Sequence, residues 1–252
     1  MITIIDLYLL ILGLVLGSFY NVVGLRVPKN ESIVKPPSHC PQCGRRLSYR
    51  DLVPVFSWLF LRGRCRTCHN PIPVFYPLME LITGVLFMAM FWRFGFSGEL
   101  LVALALVSLL VIISISDLHY MIIPDKILLI FSVIFIGLRL WQPLTPWWDS
   151  LAGAAVGFSL LLLIAILSRG GMGGGDIKLF AVLGFVIGTK LVILTLVFAS
   201  LYGMLFGIIG LAIGKIKRGK PFAFGVFIAL GALTAYCFGH TILNSYMNWI
   251  LS

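Results

Sequence analysis

Residues 179–213 read LFAVLGFVIGTKLVILTLVFASLYGMLFGIIGLAI, and Lys190 is the one charged residue among them. A bilayer is crossed by ~20 apolar residues, with ~25 near the upper limit, so this stretch is too long for a single span. Gly188-Thr189-Lys190 is its natural break, and two helices meeting there are expected. The break divides the stretch into runs at 177–188 and 191–213, and further apolar runs occur at 4–25, 74–94, 100–116, 122–141, 147–167 and 222–238. The chain is expected to be an all-α polytopic membrane protein with about eight transmembrane helices. Composition agrees: 60% of residues are hydrophobic and 11% charged, where a soluble domain carries roughly 25% charged residues. The N-terminal run has no basic segment before it and no small-residue cleavage site after it, so it is expected to be retained as a span.

The formal charge of +10 could suggest nucleic acid, but its distribution argues for a topology instead and no nucleic-acid partner is expected. With the N-terminus outside, sixteen of the nineteen Lys and Arg residues fall on the cytoplasmic side. The outside keeps Arg93, Arg139 and Lys190. This sorting is the positive-inside pattern, and it places both termini outside. Trp141, Trp147 and Trp148 flank a Pro-containing outer loop, where interfacial aromatics belong. The basic cluster from Lys215 to Lys220 is suited to anionic membrane lipid. Residues 26–73 stand apart, being polar, basic and proline-rich with no run long enough to span. The expected organisation is therefore a first transmembrane helix at 1–25, a small cytoplasmic domain at 26–73, and a membrane-embedded core at 74–252.

That small domain carries Cys40-Pro-Gln-Cys43 and Cys65-Arg-Thr-Cys68, two C-x2-C pairs separated by 21 residues. Four thiolates so spaced can close a tetrahedral zinc site, and the metal orders a loop too small to build a core of its own. Nearby Arg and Lys side chains favour thiolate over thiol. A four-cysteine site leaves no open coordination position, so the zinc is expected to be structural. His39 and His69 adjoin the outer cysteines as bystanders, and Cys237 lies alone in an apolar run.

Ionisable groups within or at the edge of spans are costly and are functional candidates by default. Glu80, Asp117, Asp125 and Asp176 qualify. Asp117 closes the third run and Asp176 opens the sixth; the 58 residues between them hold two spans. Two spans return the chain to the side it left, so both carboxylates are expected at the cytoplasmic membrane edge. Carboxylates held close share a proton, which lets one activate water while the other polarises a scissile carbonyl. Gly170 to Gly175 contains five glycines, a composition that disfavours helix. Gly173, Gly174 and Gly175 are expected to form irregular backbone that could hold a substrate in extended form. Asp125 follows Pro124 and fits the first turn of a helix. Lys178 either anchors the cytoplasmic edge or tunes Asp176.

These residues resemble those of the bacterial type IV prepilin peptidases, which are GxGD-type intramembrane aspartic proteases. The similarity runs in order along most of the chain. It begins with Gly17-Ser18-Phe19-Tyr20-Asn21-Val22-Val23 and Arg26-Val27-Pro28, then the cysteine tetrad. Asp51-Leu52-Val53-Pro54, Tyr76-Pro77-Leu78-Met79-Glu80, Asp117 and Ile123-Pro124-Asp125 follow. The strongest piece is Gly171-Met172-Gly173-Gly174-Gly175-Asp176-Ile177-Lys178-Leu179. Phe224-Gly225-Val226-Phe227 is weaker, because the family usually has proline in place of Val226.

The resemblance implies cleavage of the basic leader of prepilins, or of type II secretion pseudopilins, at the cytoplasmic face of the bacterial inner membrane. It implies Asp117 and Asp176 as the catalytic pair, beside which Asp125 is expected to be supporting. It also implies N-methylation of the new N-terminal residue with S-adenosylmethionine as methyl donor, linked to the long loop. The donor is expected near that loop and the cytoplasmic end of the second span, with Glu80 orienting or deprotonating the amine. No glycine-rich cofactor fingerprint of the Rossmann type is present. A proton-coupled transporter would place its acids near the bilayer midplane in repeated halves, and a non-enzymatic assembly factor would not need the two aspartates.

Overall fold

The computed structural model describes residues 2–168, 172–214 and 223–251. Gly170, Gly171 and the basic cluster 215–220 lie outside the described residues. The regular elements are helices: α1 (Ile2–Arg26), the short α2 (Phe56–Phe60), α3 (Phe75–Phe94), α4 (Gly98–Tyr120), α5 (Asp125–Trp141), α6 (Asp149–Leu167), α7 (Gly174–Ile187), α8 (Thr189–Ala212) and α9 (Gly225–Leu251). The long apolar stretch does break at Gly188, whose φ of +82° suits glycine.

The count of about eight spans needs refinement. Among the described residues six helices, α1, α3, α4, α6, α8 and α9, are long and apolar enough to cross a membrane. With 17 residues α5, and with 14 residues α7, fall short of that length. At ~1.5 Å per residue, α7 reaches about 21 Å, against a hydrocarbon core of ~30 Å. The cause is local. Pro124 has extended backbone that delays the start of α5, and α7 is closed in between Gly173 and Gly188.

The outward faces of the helices are apolar, as those of a water-soluble protein are not. Along α5, Leu129, Ile130, Val133 and Leu140 are exposed while Arg139 is buried. Exposed side chains such as Ile4, Leu7, Ile11 and Val15 continue the pattern on α1. An apolar face of this extent needs an apolar solvent, and the chain is a multi-pass membrane protein.

The chain forms two compact units, residues 1–115 and 116–252. In the first unit, α1 and α3 run antiparallel with their backbones in close approach. A Cβ on Gly17 would lie 2.9 Å from the Glu80 Cα, and one on Gly13 2.7 Å from the Gly84 Cα. Gly13 and Gly17 are thus the small residues at i and i+4 that let membrane helices pack closely. The Trp92 indole donates to Asp6 at one end of this pair (2.9 Å), and the Tyr20 hydroxyl donates to Ser108 of α4 (2.6 Å).

In the second unit, Gly153 and Gly157 of α6 play the same part against Gly184 and Phe180 of α7, where no Cβ fits. Gly231 of α9 seats against Thr195 and Ala199 of α8. The α7–α8 break is held by two side chains. The Arg139 Nε donates to the Val186 carbonyl in the last turn of α7 (2.8 Å), and the Thr189 N–H donates to Asp149 at the start of α8 (3.2 Å). Arg139, counted on the outer side in the charge sorting, is buried and satisfies a helix end whose dipole favours a cation.

Candidate active site and metal centre

Asp117 lies in the last turn of α4 and is 5% exposed. Its Oδ2 accepts the N–H of Gly225, the first residue of α9, at 2.7 Å. The Val226 N–H reaches the same carboxylate, a donor that a proline at 226 would lack. Gly225 is required by space: a Cβ there would stand 2.8 Å from the Asp117 Oδ2. The 224–227 motif carries no sign of this contact, because the two positions are 108 residues apart.

Asp176 is in the first turn of α7, and its N–H donates to the Gly173 carbonyl (3.1 Å). The expectation of irregular backbone through the glycines is corrected for two of them. Gly173 is extended and caps the helix, while Gly174 and Gly175 are helical. Packing explains the composition at Gly175, where a Cβ would come 2.8 Å from that of Ile123. A glycine costs ~1 kcal/mol in a helix, and here it permits the approach that brings Asp176 in beside the end of α4. The Asp117 and Asp176 carboxylates lie within electrostatic reach of each other.

Asp125 opens α5 and is exposed. Its two oxygens accept the Lys178 ammonium at 2.8 and 2.7 Å. Lys178 is therefore engaged by Asp125. As an exposed pair the bridge is worth ~0–1 kcal/mol, and it ties α5 to α7 two residues beyond Asp176.

In the first unit the four cysteines converge. Cys40 Sγ is 3.7 Å from Cys68 Sγ, Cys43 Sγ is 4.0 Å from Cys65 Sγ, and all four lie within 4.8 Å of one another. A tetrahedron of ~2.3 Å Zn–S bonds separates its sulfurs by ~3.8 Å, so the donor set fits zinc. The two pairs fold alike. The Cys40 N–H donates to the Arg45 carbonyl and the Cys65 N–H to the Asn70 carbonyl, both at 2.9 Å. The fourth residue after each first cysteine has positive φ, Gly44 in one and His69 in the other. The Cys68 and Thr67 N–H groups bring the Cys65 thiol down to about 6, and those of Cys43 and Gln42 lower Cys40. His39 turns its Nδ1 to the Pro37 carbonyl (3.0 Å).

Asp51 clips the two knuckles together, a role the sequence reading did not assign. It accepts Arg45 Nη2 from the first (3.1 Å) and Arg66 Nε from the second (3.0 Å). Ser48 adds its hydroxyl (2.8 Å) and N–H (3.1 Å). Burial works against the charge, but the Ser48 donors, Arg66 and Arg45 outweigh it and hold the carboxyl below its ordinary value. Glu80 of α3 accepts the Val55 N–H at 2.7 Å, with the Ser18 hydroxyl as a second partner.

Two family descriptions match the chain: Bacterial Peptidase A24 N-terminal domain over residues 11–94, and Type IV leader peptidase family over residues 104–208. Several similar proteins carry the name prepilin leader peptidase/N-methyltransferase. That of Bacillus subtilis (strain 168) is 43% identical over 96% of this chain and 98% of its own. That of Myxococcus xanthus is 42% identical over 80% of this chain and 62% of its own. That of Xanthomonas campestris pv. campestris is 34% identical over 94% and 93%. No solved structure matches the chain.

Proposed function

The chain belongs to the type IV leader peptidase family, and we propose that it is an intramembrane aspartic endopeptidase that also N-methylates its product. Its substrates are prepilins or type II secretion pseudopilins, whose basic leader it removes at the cytoplasmic face of the membrane. One observation carries the reading. A buried carboxylate, Asp117, is held on the N-terminus of α9 within electrostatic reach of Asp176 in the first turn of α7. Two carboxylates placed so share one proton.

In the proposed reaction the charged member takes a proton from water, and the water oxygen bonds to the scissile carbonyl carbon. The protonated member donates to the carbonyl oxygen. Collapse then breaks the C–N bond, and the leaving amine receives a proton. The Gly225 and Val226 N–H groups fix Asp117 during these steps, and Gly173 and Gly175 fix Asp176. Asp125 and Lys178 support the site by joining α5 to α7.

Cys40, Cys43, Cys65 and Cys68 would hold a structural zinc, which orders the loop and takes no part in the chemistry. Methylation belongs to the N-terminal unit, where the N-terminal family domain matches and the tetrad lies. S-adenosylmethionine, when bound, supplies an activated methyl group for the amine freed by cleavage. The test is the intact mass of a prepilin after incubation with the purified enzyme. Loss of the leader together with gain of one methyl group is expected; an unchanged prepilin would overturn the reading.

A further inference from the structure

We infer that a cavity within the N-terminal unit is the methyl-donor site, and that Glu80 shapes it by holding Val55 in a strained turn. The inference rests on the N-methyltransferase reading above. The cavity measures about 380 Å³, within the ~300–1,000 Å³ usual for small-molecule sites. Ser18 and Asn21 of α1, Trp58 of α2, and Tyr76 and Glu80 of α3 contribute to its walls, with both cysteine knuckles beside them.

The lining suits S-adenosylmethionine, a purine nucleoside joined to a sulfonium cation and an amino acid. Trp58 and Tyr76 offer rings for the purine or the cation. Arg26, fixed by the Ser32 and Pro36 carbonyls at 3.0 and 2.8 Å, offers a held positive charge for the carboxylate. Asn21 is 4% exposed and gives its Nδ2 to the Tyr76 carbonyl (3.2 Å), yet its Oδ1 has no partner. That oxygen is closed off from the cavity, so Asn21 acts by fixing Tyr76 in the wall.

Val55 has φ 61° and ψ −53°, and the Phe56 N–H donates to the Pro54 carbonyl at 2.6 Å. This is a γ-turn of the rare positive-φ kind, on a β-branched residue for which such φ is a true outlier. Strain of this sort persists where surrounding structure imposes it. Here the imposing group is the Glu80 carboxylate, which accepts the Val55 N–H. Val55 caps α2, and α2 carries Trp58, whose indole donates to the Ile72 carbonyl at 3.0 Å. Glu80 is thus a positioning residue: through Val55 it sets α2 and the Trp58 wall of the cavity.

The experiment measures equilibrium binding of radiolabelled S-adenosylmethionine to the full-length, zinc-loaded enzyme. Glu80→Ala and Asn21→Leu are expected to weaken binding by about tenfold or more. Glu80→Gln keeps an oxygen for the Val55 N–H and is expected to stay within about threefold of wild type, which a role for Glu80 as proton acceptor would not require. All three should still cleave leader. Photo-crosslinking the same probe to the wild-type enzyme, followed by peptide mapping, needs no variant and should label the segments carrying Trp58 or Tyr76. Wild-type affinity in Glu80→Ala, or label confined to residues 116–252, would overturn the assignment. If the wild type methylates while the label maps elsewhere, only this assignment falls; if it neither binds donor nor methylates, the methyltransferase reading falls with it.

Discussion

Gly225 and Asp51 show how single positions carry the two centres. An alanine at 225 would put a methyl group 2.8 Å from the Asp117 carboxylate, so either the carboxylate or the start of α9 must shift. Displacement of a reacting group by a fraction of an ångström is costly to rate. Gly225→Ala is expected to slow leader cleavage by about tenfold or more while zinc content and membrane insertion stay unchanged. At Asp51, replacement by Asn removes the charge that joins Arg45 to Arg66. Because those partners are partly exposed, the expected loss is about 1–2 kcal/mol. The sign of its pH dependence follows from the lowered carboxyl. Asp51 stabilises the loop fully above its ordinary value near ~4, and this stabilisation is lost as pH falls through the lower, folded value. The difference in thermal midpoint between wild type and Asp51→Asn should therefore hold from neutral to mildly acidic pH and narrow below about 4. Both roles join residues distant in sequence or bury an ordinary acid, and neither leaves a mark in local pattern.

Among the elements, helix pairing by glycine is what the sequence half-discloses. The C-x2-C spacing was sufficient to foresee the tetrad, because four ligands of one kind at short spacing constrain each other strongly. The break at Gly188 was equally legible, since apolar length alone demands it. The glycines before Asp176 were not. Helix propensity argues against Gly174 and Gly175, yet both are helical, and at Gly175 the close approach of Ile123 calls for the missing side chain. Arg139 was not legible for a related reason: counting charges assigns it a side, but not its burial on the end of α7. The zinc loop gives the test at this scale. Purified protein should contain close to one zinc per chain, and changing Cys40 and Cys43 together to Ser should abolish it. Stoichiometric zinc in that double variant would contradict the assignment. Methylation is expected to suffer more than cleavage, because the carboxylate pair lies outside the loop.

The whole molecule presents apolar side chains outward and keeps its buried acids and Arg139 inside, as a bilayer solvent requires. The Lys and Arg distribution supports termini on the outer side and a cytoplasmic 26–73 domain. A reporter fused to the C-terminus should accordingly behave as periplasmic; cytoplasmic activity there would contradict this orientation. The central claim is that Asp117 and Asp176 act as one water-activating pair. It is tested most directly by single-turnover cleavage of a prepilin in lipid, comparing wild type with Asp117→Asn, Asp176→Asn and Asp125→Asn. The account expects no leader release from either of the first two, although both still insert and retain zinc, because an amide cannot share the proton. It expects measurable cleavage from Asp125→Asn. Substantial turnover by Asp176→Asn, or loss of activity in Asp125→Asn with normal activity in Asp117→Asn, would contradict it.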